Sequence, residues 1–332
     1  MESPDYVRLS LAAAMTLRLA SGRFYRNCKL YCLNLLLTYS NGCIGRCSYC
    51  GLSKEREGNY ENKSFIRVSW PVYHLFKIFE NLNYAPHLER VCISMITNKR
   101  AIEDTIKLTK LFKEKTDLLI SLLISPTITQ DVRVFKEAGA DMIGIAIDCA
   151  TESLFKEHRP IHQWRRYWKV LENAIGVFGR NKVSSHLIVG LGEKEKEMVE
   201  VIQKIRDKGA DTHLFSFYPE EGSSLQKRDP CPASQFRRIQ LARYLIENGI
   251  ARIDNLEFDE EGRIIDFGKE IEEIIESGKP FQTSGCPGKT RDVACNRPFG
   301  DGRPSDIRSF PFKLNKRDVK KVRKQLGILK KI

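Results

Sequence analysis

The chain has 332 residues, 42% hydrophobic and 29% charged, with a formal net charge of +13 and ten cysteines. That length can bury at least one large core, and no run of about 18 uncharged apolar residues offers a membrane-spanning helix. It is also too long for a small secreted disulfide scaffold, so the cysteines of this chain, taken as cytoplasmic, point to metal binding.

In chain order, Leu9–Leu19 is apolar but short and carries Arg18; it reads as an N-terminal helix and not a signal peptide. Leu30–Tyr39 reads as a buried strand. Ser69 is placed as the N-cap of a helix reaching about Leu82, with Pro71 in its first turn. Strands are expected at Arg90–Ile96, Asp117–Ile124, Asp141–Ile147, Lys182–Val189, Thr212–Phe217 and, short, Ala251–Leu256. Helices are expected at Ala101–Lys115, Thr129–Ala138, Gln163–Phe178, Glu193–Lys208 and Ala233–Asn248. Gly139, Gly209 and Gly249 stand where three of them should stop.

Apolar strands alternating with helices imply a parallel sheet covered by helices. About seven strands, with an eighth possible, suit an α/β fold of the full or partial (β/α) barrel kind, with its chemistry at the carboxyl ends of the strands. The expected organisation is an N-terminal helical extension at 1–29, a barrel at 30–266, and a C-terminal segment at 267–332. That last segment is an irregular Gly- and Pro-rich wrap followed by a basic helix.

Five cysteines fall between positions 28 and 50, and two more at 286 and 295. Cys43, Cys47 and Cys50 have the spacing C-x3-C-x2-C and directly follow the first barrel strand. Structural zinc wants four ligands, usually in paired C-x2-C knuckles, so this loop fits zinc poorly. Three close thiolates can each bind one iron of a [4Fe–4S] cubane. The fourth iron then lacks a protein ligand and can take the amino and carboxylate groups of S-adenosylmethionine. Cys28 and Cys32, with Cys286 and Cys295, are candidates to close a second, auxiliary [4Fe–4S] cluster; Cys92, Cys149 and Cys231 read as core or loop thiols.

C-x3-C-x-aromatic-C, with Tyr49 as the aromatic, resembles the signature of the radical S-adenosylmethionine superfamily over roughly residues 30–260. The resemblance implies that Tyr49 meets the adenine. It also implies that Ile188, Gly190 and Glu193 form an I-x-G-x-x-E adenine contact, and that Asp148 meets the ribose. Ser94 and Thr97 stand where the family often carries Gly-Gly-Glu for the methionine amino group. More narrowly, the loop CIGRCSYCGLSKE, Phe217-Tyr-Pro-Glu-Glu-Gly222, and the stretches around Cys286-Pro-Gly and Cys295-Asn-Arg-Pro298 are similar to the biotin-synthase-related branch. Within it they are closest to archaeal-type two-component lipoyl synthases. The N-terminal C-x4-C-x5-C of ordinary lipoyl synthases is absent.

That resemblance implies a sulfurtransferase. A 5′-deoxyadenosyl radical would open C–H bonds of an octanoyl chain on a lipoyl carrier protein, and the auxiliary cluster would be consumed as sulfur donor. The implied partners are an acidic lipoyl carrier domain bearing octanoyl-lysine, a paralogous second synthase subunit, and a ferredoxin- or flavodoxin-type reductant. The basic surface suits an acidic carrier; neither a membrane nor nucleic acid is expected as a partner. Arg297, Arg303 and Arg308 are candidates for guiding the carrier or orienting the methionine carboxylate. The competing readings are biotin-synthase-like sulfur insertion on a small molecule, RNA modification, and a non-catalytic iron–sulfur scaffold.

Overall fold

The computed structural model describes residues 1–126, 131–300 and 302–327. In the first half, β1 (Tyr6–Leu9), α1 (Leu11–Thr16), β2 (Cys32–Leu37), β3 (Val72–His74) and α2 (Leu75–Asn81) precede β4 (Arg90–Ser94), α3 (Ala101–Lys115), β5 (Leu119–Ile124) and α4 (Arg133–Glu137). Then come β6 (Met142–Asp148), α5 (Glu152–His158), α6 (Trp164–Phe178), β7 (Val183–Val189), α7 (Glu195–Lys208), β8 (Asp211–Ser216) and α8 (Ala233–Glu247). The chain ends in the hairpins β9 (Glu257–Phe258)–β10 (Ile264–Asp266) and β11 (Gly302–Arg303)–β12 (Asp306–Ile307), with α9 (Glu272–Ser277) between them and α10 (Lys316–Leu326) last.

Eight strands form one sheet in the order β3-β1-β2-β4-β5-β6-β7-β8. From β2 to β8 neighbours are parallel, whereas β1 is antiparallel to both β2 and β3. The sheet curls without closing: a partial (β/α) barrel. Leu33, Leu35, Val91, Ile93, Ile143, Ile145 and Leu187 are buried under the helices. Alternate residues — Asn34, Cys92, Ser121, Gly144, Ser184, His186, His213 and Phe215 — line the lumen instead.

Four expectations change. The N-terminal helix shrinks to α1, because Tyr6–Leu9 pairs into the sheet edge, so residues 1–29 supply a strand as well as a helix. The helix expected from Ser69 starts only at Leu75. The intervening Val72–His74 pairs with β1, and this ladder outweighs local helix signals. A 3₁₀ turn at Ile253–Asn255 replaces the strand expected at Ala251–Leu256. Helix α5 was not expected; Thr151 caps it by accepting from the Leu154 amide at 3.3 Å. Residues 129–130 of one expected helix, and Lys330 and Lys331 of the basic tail, lie outside the described residues.

The C-terminal segment closes the lumen at the amino ends of the strands. Arg90, 1% exposed, fastens it there. Its guanidinium donates to both Asp141 oxygens at 2.9 and 2.7 Å, to Ser121 Oγ at 2.6 Å and to the Pro287 carbonyl at 2.6 Å. Asn296 Nδ2 donates to the carbonyls of Lys29 at 2.8 Å and Pro311 at 3.0 Å. Helix α10 lies on α8, where buried Arg237 donates to the Ile307 carbonyl at 2.6 Å and to that of Arg308.

Removing one partner of a largely buried ion pair strands the other. Arg90→Met is therefore expected to cost about 2 kcal/mol in urea unfolding, the half-wet Asp141 limiting the loss. Limited proteolysis should cut residues 285–311 faster, and an unchanged cleavage rate would show that Arg90 does not hold the wrap.

Candidate active site

The Cys43–Cys50 loop leaves the carboxyl end of β2 and is tied down on two sides. The Ile44 amide donates to the Thr97 carbonyl at 2.9 Å, and the Ser48 amide to the His158 carbonyl at 3.0 Å. Arg8, wholly buried, donates to the carbonyls of Trp70 at 2.7 Å, Tyr60 at 2.9 Å and Lys63, which fixes the following segment. A β-carbon on Gly51 would lie 2.4 Å from the Ser64 carbonyl oxygen, so the chain can pass there only as glycine.

Cys43, Cys47 and Cys50 all line one cavity. The Gly45 amide points at Cys43 Sγ (3.3 Å) and the Leu52 amide at Cys50 Sγ (3.4 Å), donors that suit thiolates. Burial pushes the Cys47 thiol up and the Cys50 thiol far up, and their neighbouring sulfurs add to it. Without a cation both would hold their protons. Among the described residues no three His, Cys, Asp or Glu side chains converge on a single ion. Three thiols gathered in one cavity suit a multi-iron cluster, one thiolate to an iron.

Beside the loop, Tyr49 Oη donates to Asp148 Oδ2 at 2.5 Å, and Arg159 pairs with the same carboxylate oxygen at 3.1 Å. Asp148 holds a left-handed φ of 63° where the ladder to β7 slips, which turns its side chain into the lumen. Arg159 was missed in the sequence, since one arginine in a basic chain carries no signal. It is 3% exposed and also donates to Tyr167 Oη at 2.9 Å and to the Ala146 carbonyl. Its Nε is buried without a partner. A buried guanidinium in the cavity wall fits the carboxylate of S-adenosylmethionine. Ser94, Thr97 and Ile188 line the same cavity. Gly190 and Glu193 stand behind the wall: Glu193 accepts the amides of Gly190 at 2.6 Å and Leu191 at 2.9 Å, and so shapes the turn after β7. Burial raises its carboxyl to about 7.

A second group of thiols sits at the closed end of the lumen. Cys32, Cys286 and Cys295 pack together with Met142, and Cys92 joins them. Cys28 does not. It follows a 3₁₀ turn at Tyr25–Asn27 and is buried elsewhere, its Sγ 3.6 Å from the Lys29 and Pro311 carbonyls. The four expected ligands are thus not gathered; Cys92 stands where Cys28 was placed. The missed signal was period two in β4, where Arg90, Cys92 and Ser94 interrupt an apolar strand and share one face. Asn34 Nδ2 points at Cys32 Sγ (3.8 Å) and Cys295 Sγ (3.6 Å), with Arg297 Nη1 4.0 Å from the latter. The hydrogen bond from Cys32 draws the Cys295 thiol below its usual range, while burial raises Cys32, Cys92 and Cys286. Of the other arginines, Arg303 is exposed, and Arg308 is buried, pairing with Asp306 and donating to the Cys231 carbonyl at 2.5 Å.

Cys43, Cys47 and Cys50 share one cavity of about 250 Å³ with Cys92, Cys286 and Cys295. The six residues of β2 run between them, roughly 17 Å at about 3.3 Å per residue. An open (β/α) barrel with a three-thiol loop at its carboxyl face defines an iron–sulfur radical enzyme class. The family profile of the Radical SAM superfamily matches residues 37–205, half of the chain, and the chain belongs to that superfamily. Its members are enzymes that use a [4Fe–4S] cluster and S-adenosylmethionine. No curated protein sequence matches the chain. Among solved structures, methylornithine synthase (PylB) is 15% identical over 71% of this chain and 67% of its own, with a TM-score of 0.51. HydG, a maturase of the [FeFe]-hydrogenase, is 15% identical over 71% of this chain and 53% of its own, with a TM-score of 0.53. The chain thus spans about half the length of HydG, and at this identity both likenesses speak for the fold alone.

Cys47→Ala should abolish formation of 5′-deoxyadenosine by iron-loaded, reduced protein; undiminished formation would remove Cys47 from the ligand set. A second expectation concerns pH. Folding tightens the proton on Glu193, so its contribution to stability is full below about 4.5 and is lost as pH rises to about 7. At 1.36 kcal/mol per unit, wild type should lose about 3 kcal/mol more than Glu193→Gln across that window. Urea midpoints that fall in parallel for the two proteins would refute it.

Proposed function

We propose that this chain is a sulfur-inserting radical enzyme of the lipoyl synthase type, acting on an octanoyl chain carried by a protein. The observation that carries the reading is a set of four thiols at the closed end of the lumen whose open end holds the three loop thiols. Cys32, Cys92, Cys286 and Cys295 suit an auxiliary [4Fe–4S] cluster, one sulfur for each iron. When bound, the loop cluster with S-adenosylmethionine supplies a carbon-centred radical, and the auxiliary cluster supplies sulfur.

The chain's own residues do the rest. Asp148 faces the ribose of the cofactor, and Arg159, paired with it, faces the methionine carboxylate. Leu36, Leu123, Ile188, Phe215 and Phe217 give the lumen an apolar wall for an alkyl chain. Phe65, Ile66, Trp70 and Phe299 at the cavity wall keep bulk water from a reactive carbon. Lys316, Arg317, Lys320 and Lys324 stand exposed along α10, a surface that would steer an acidic lipoyl carrier domain. A paralogous second subunit and a ferredoxin- or flavodoxin-type reductant complete the system this reading requires. The narrower likeness to two-component lipoyl synthases rests on the sequence motifs alone.

Sulfur gained by an octanoyl-lysyl carrier peptide, read by mass spectrometry, tests the reading; a peptide that only loses hydrogen or stays intact contradicts it. Cys92→Ala is expected to lower bound iron from about eight per chain towards about four, while Cys28→Ala leaves it unchanged, on the two-cubane count. The reverse pattern would restore Cys28 as the ligand.

A further inference from the structure

His162 ends a chain of hydrogen bonds that begins at Asp148. Asp148 pairs with Arg159 at 3.1 Å, Arg159 Nη2 donates to Tyr167 Oη at 2.9 Å, and Tyr167 Oη lies 3.1 Å from His162 Nδ1. Tyr167 is wholly buried. Its hydroxyl oxygen accepts from Arg159, and among the described residues its one proton has a single acceptor, His162 Nδ1. Buried hydroxyls are nearly always satisfied, so Nδ1 accepts and the proton of a neutral ring stands on Nε2. Burial, with Arg159 and Arg166 adding to it, pushes His162 down to about 3, and the ring stays neutral. The tautomer is thus set from behind, by a tyrosine held on an arginine.

The Nε2 end meets the cluster loop. His162 lines the cavity together with Cys43 and Cys47. A β-carbon placed on Gly45 would stand 3.1 Å from Cys43 Sγ and 3.8 Å from His162 Nε2. Nε2 is therefore the ring atom that comes nearest to the loop there, and glycine at position 45 leaves the space beside both atoms open. The loop and the segment 158–162 are also fastened to each other. The Ser48 amide donates to the His158 carbonyl at 3.0 Å, Ser48 Oγ lies 2.9 Å from His158 Nδ1, and the His162 amide donates to the Arg159 carbonyl at 2.9 Å. A donor of fixed tautomer thus keeps a fixed place beside the Cys43 sulfur, which already takes the Gly45 amide at 3.3 Å.

We propose that His162, through its Nε2–H, donates a hydrogen bond to a sulfur at the Cys43 corner of the loop cluster and raises that cluster's reduction potential. This rests on the loop cluster alone and holds whatever the substrate. Reduction adds negative charge to the cluster, so a donor aimed at its sulfur binds the reduced form more tightly than the oxidised one. Tyr167 and Arg159 act through the ring, as positioning residues.

The test is a redox titration of the iron-loaded protein without S-adenosylmethionine. It is read by electron paramagnetic resonance of the cluster whose signal changes when the cofactor is added afterwards. His162→Phe keeps a ring in the space and removes the N–H. At one poised potential the ratio of reduced to oxidised loop cluster is expected to fall roughly tenfold, as one such hydrogen bond allows, a midpoint lower by about 59 mV for a one-electron couple. His162→Gln, whose amide can both accept and donate, should recover most of the ratio. Tyr167→Phe, which leaves the ring but frees its tautomer, should fall between. In wild type labelled at the histidine ring nitrogens, the reduced loop cluster should show a nitrogen hyperfine coupling that His162→Phe removes. Iron content equal to wild type reports an assembled cluster in each variant. An unchanged ratio in His162→Phe at full iron, or no histidine coupling in wild type, overturns the proposal. A fall that appears only with S-adenosylmethionine present assigns His162 to the methionine carboxylate and overturns it too. Where His162→Phe fails to hold iron, the coupling in wild type and the Tyr167→Phe ratio decide. A wild type without any cofactor-responsive signal overturns the loop cluster and this proposal together.

Discussion

Parallel register with a two-residue alternation is the constraint from which the rest of this site follows. When β2 pairs with β4 so that Asn34 lies opposite Cys92, and β4 with β5 so that Cys92 lies opposite Ser121, these three side chains are delivered to one lumen. Their apolar neighbours turn outward under the helices. A slip of one residue would exchange the two faces and bury the thiols against helices. Strand β2 carries the consequence furthest, with Cys32 at its start and the Cys43–Cys50 loop after its end. One six-residue strand therefore sets the spacing of the two sulfur groups.

Much of the barrel was legible because apolar runs and helix-stop glycines are local signals. Helix α3 begins and ends where its sequence places it. The edge was not legible. Whether Val72–His74 becomes strand or helix depends on β1, more than sixty residues upstream, and no local pattern reports that pairing. The three-thiol loop was legible because its cysteines lie within eight residues. The second group was only half legible, because its members come from β2, β4 and the C-terminal wrap. Cys28 and Cys32 look equivalent as a C-x3-C pair, yet only Cys32 joins the group, and Cys28 lies against the Lys29 and Pro311 carbonyls. Arg159 shows a different limit. Its role depends on burial between Asp148 and Tyr167, which composition cannot express.

Electrostatics divides the molecule in two. The surface is basic and wet, and isolated pairs such as Lys107–Glu103 add little to stability. Inside, a few cations have fixed work: Arg8 holds the loop segment, Arg90 holds the wrap, and Arg159 pairs with Asp148 in the cavity wall. The lumen histidines are kept neutral by the same burial that raises most of the buried thiols. Among the described residues no helix is long and apolar enough to cross a membrane.

The central claim is that the loop thiols leave one corner of a cluster open to the cofactor. Electron–nuclear double resonance on iron-loaded, reduced protein, with S-adenosylmethionine labelled at its amino nitrogen and carboxylate oxygen, addresses that corner directly. Hyperfine coupling from both labels is the predicted result, weakened in Arg159→Met. A reduced cluster that shows coupling to neither label would contradict the account.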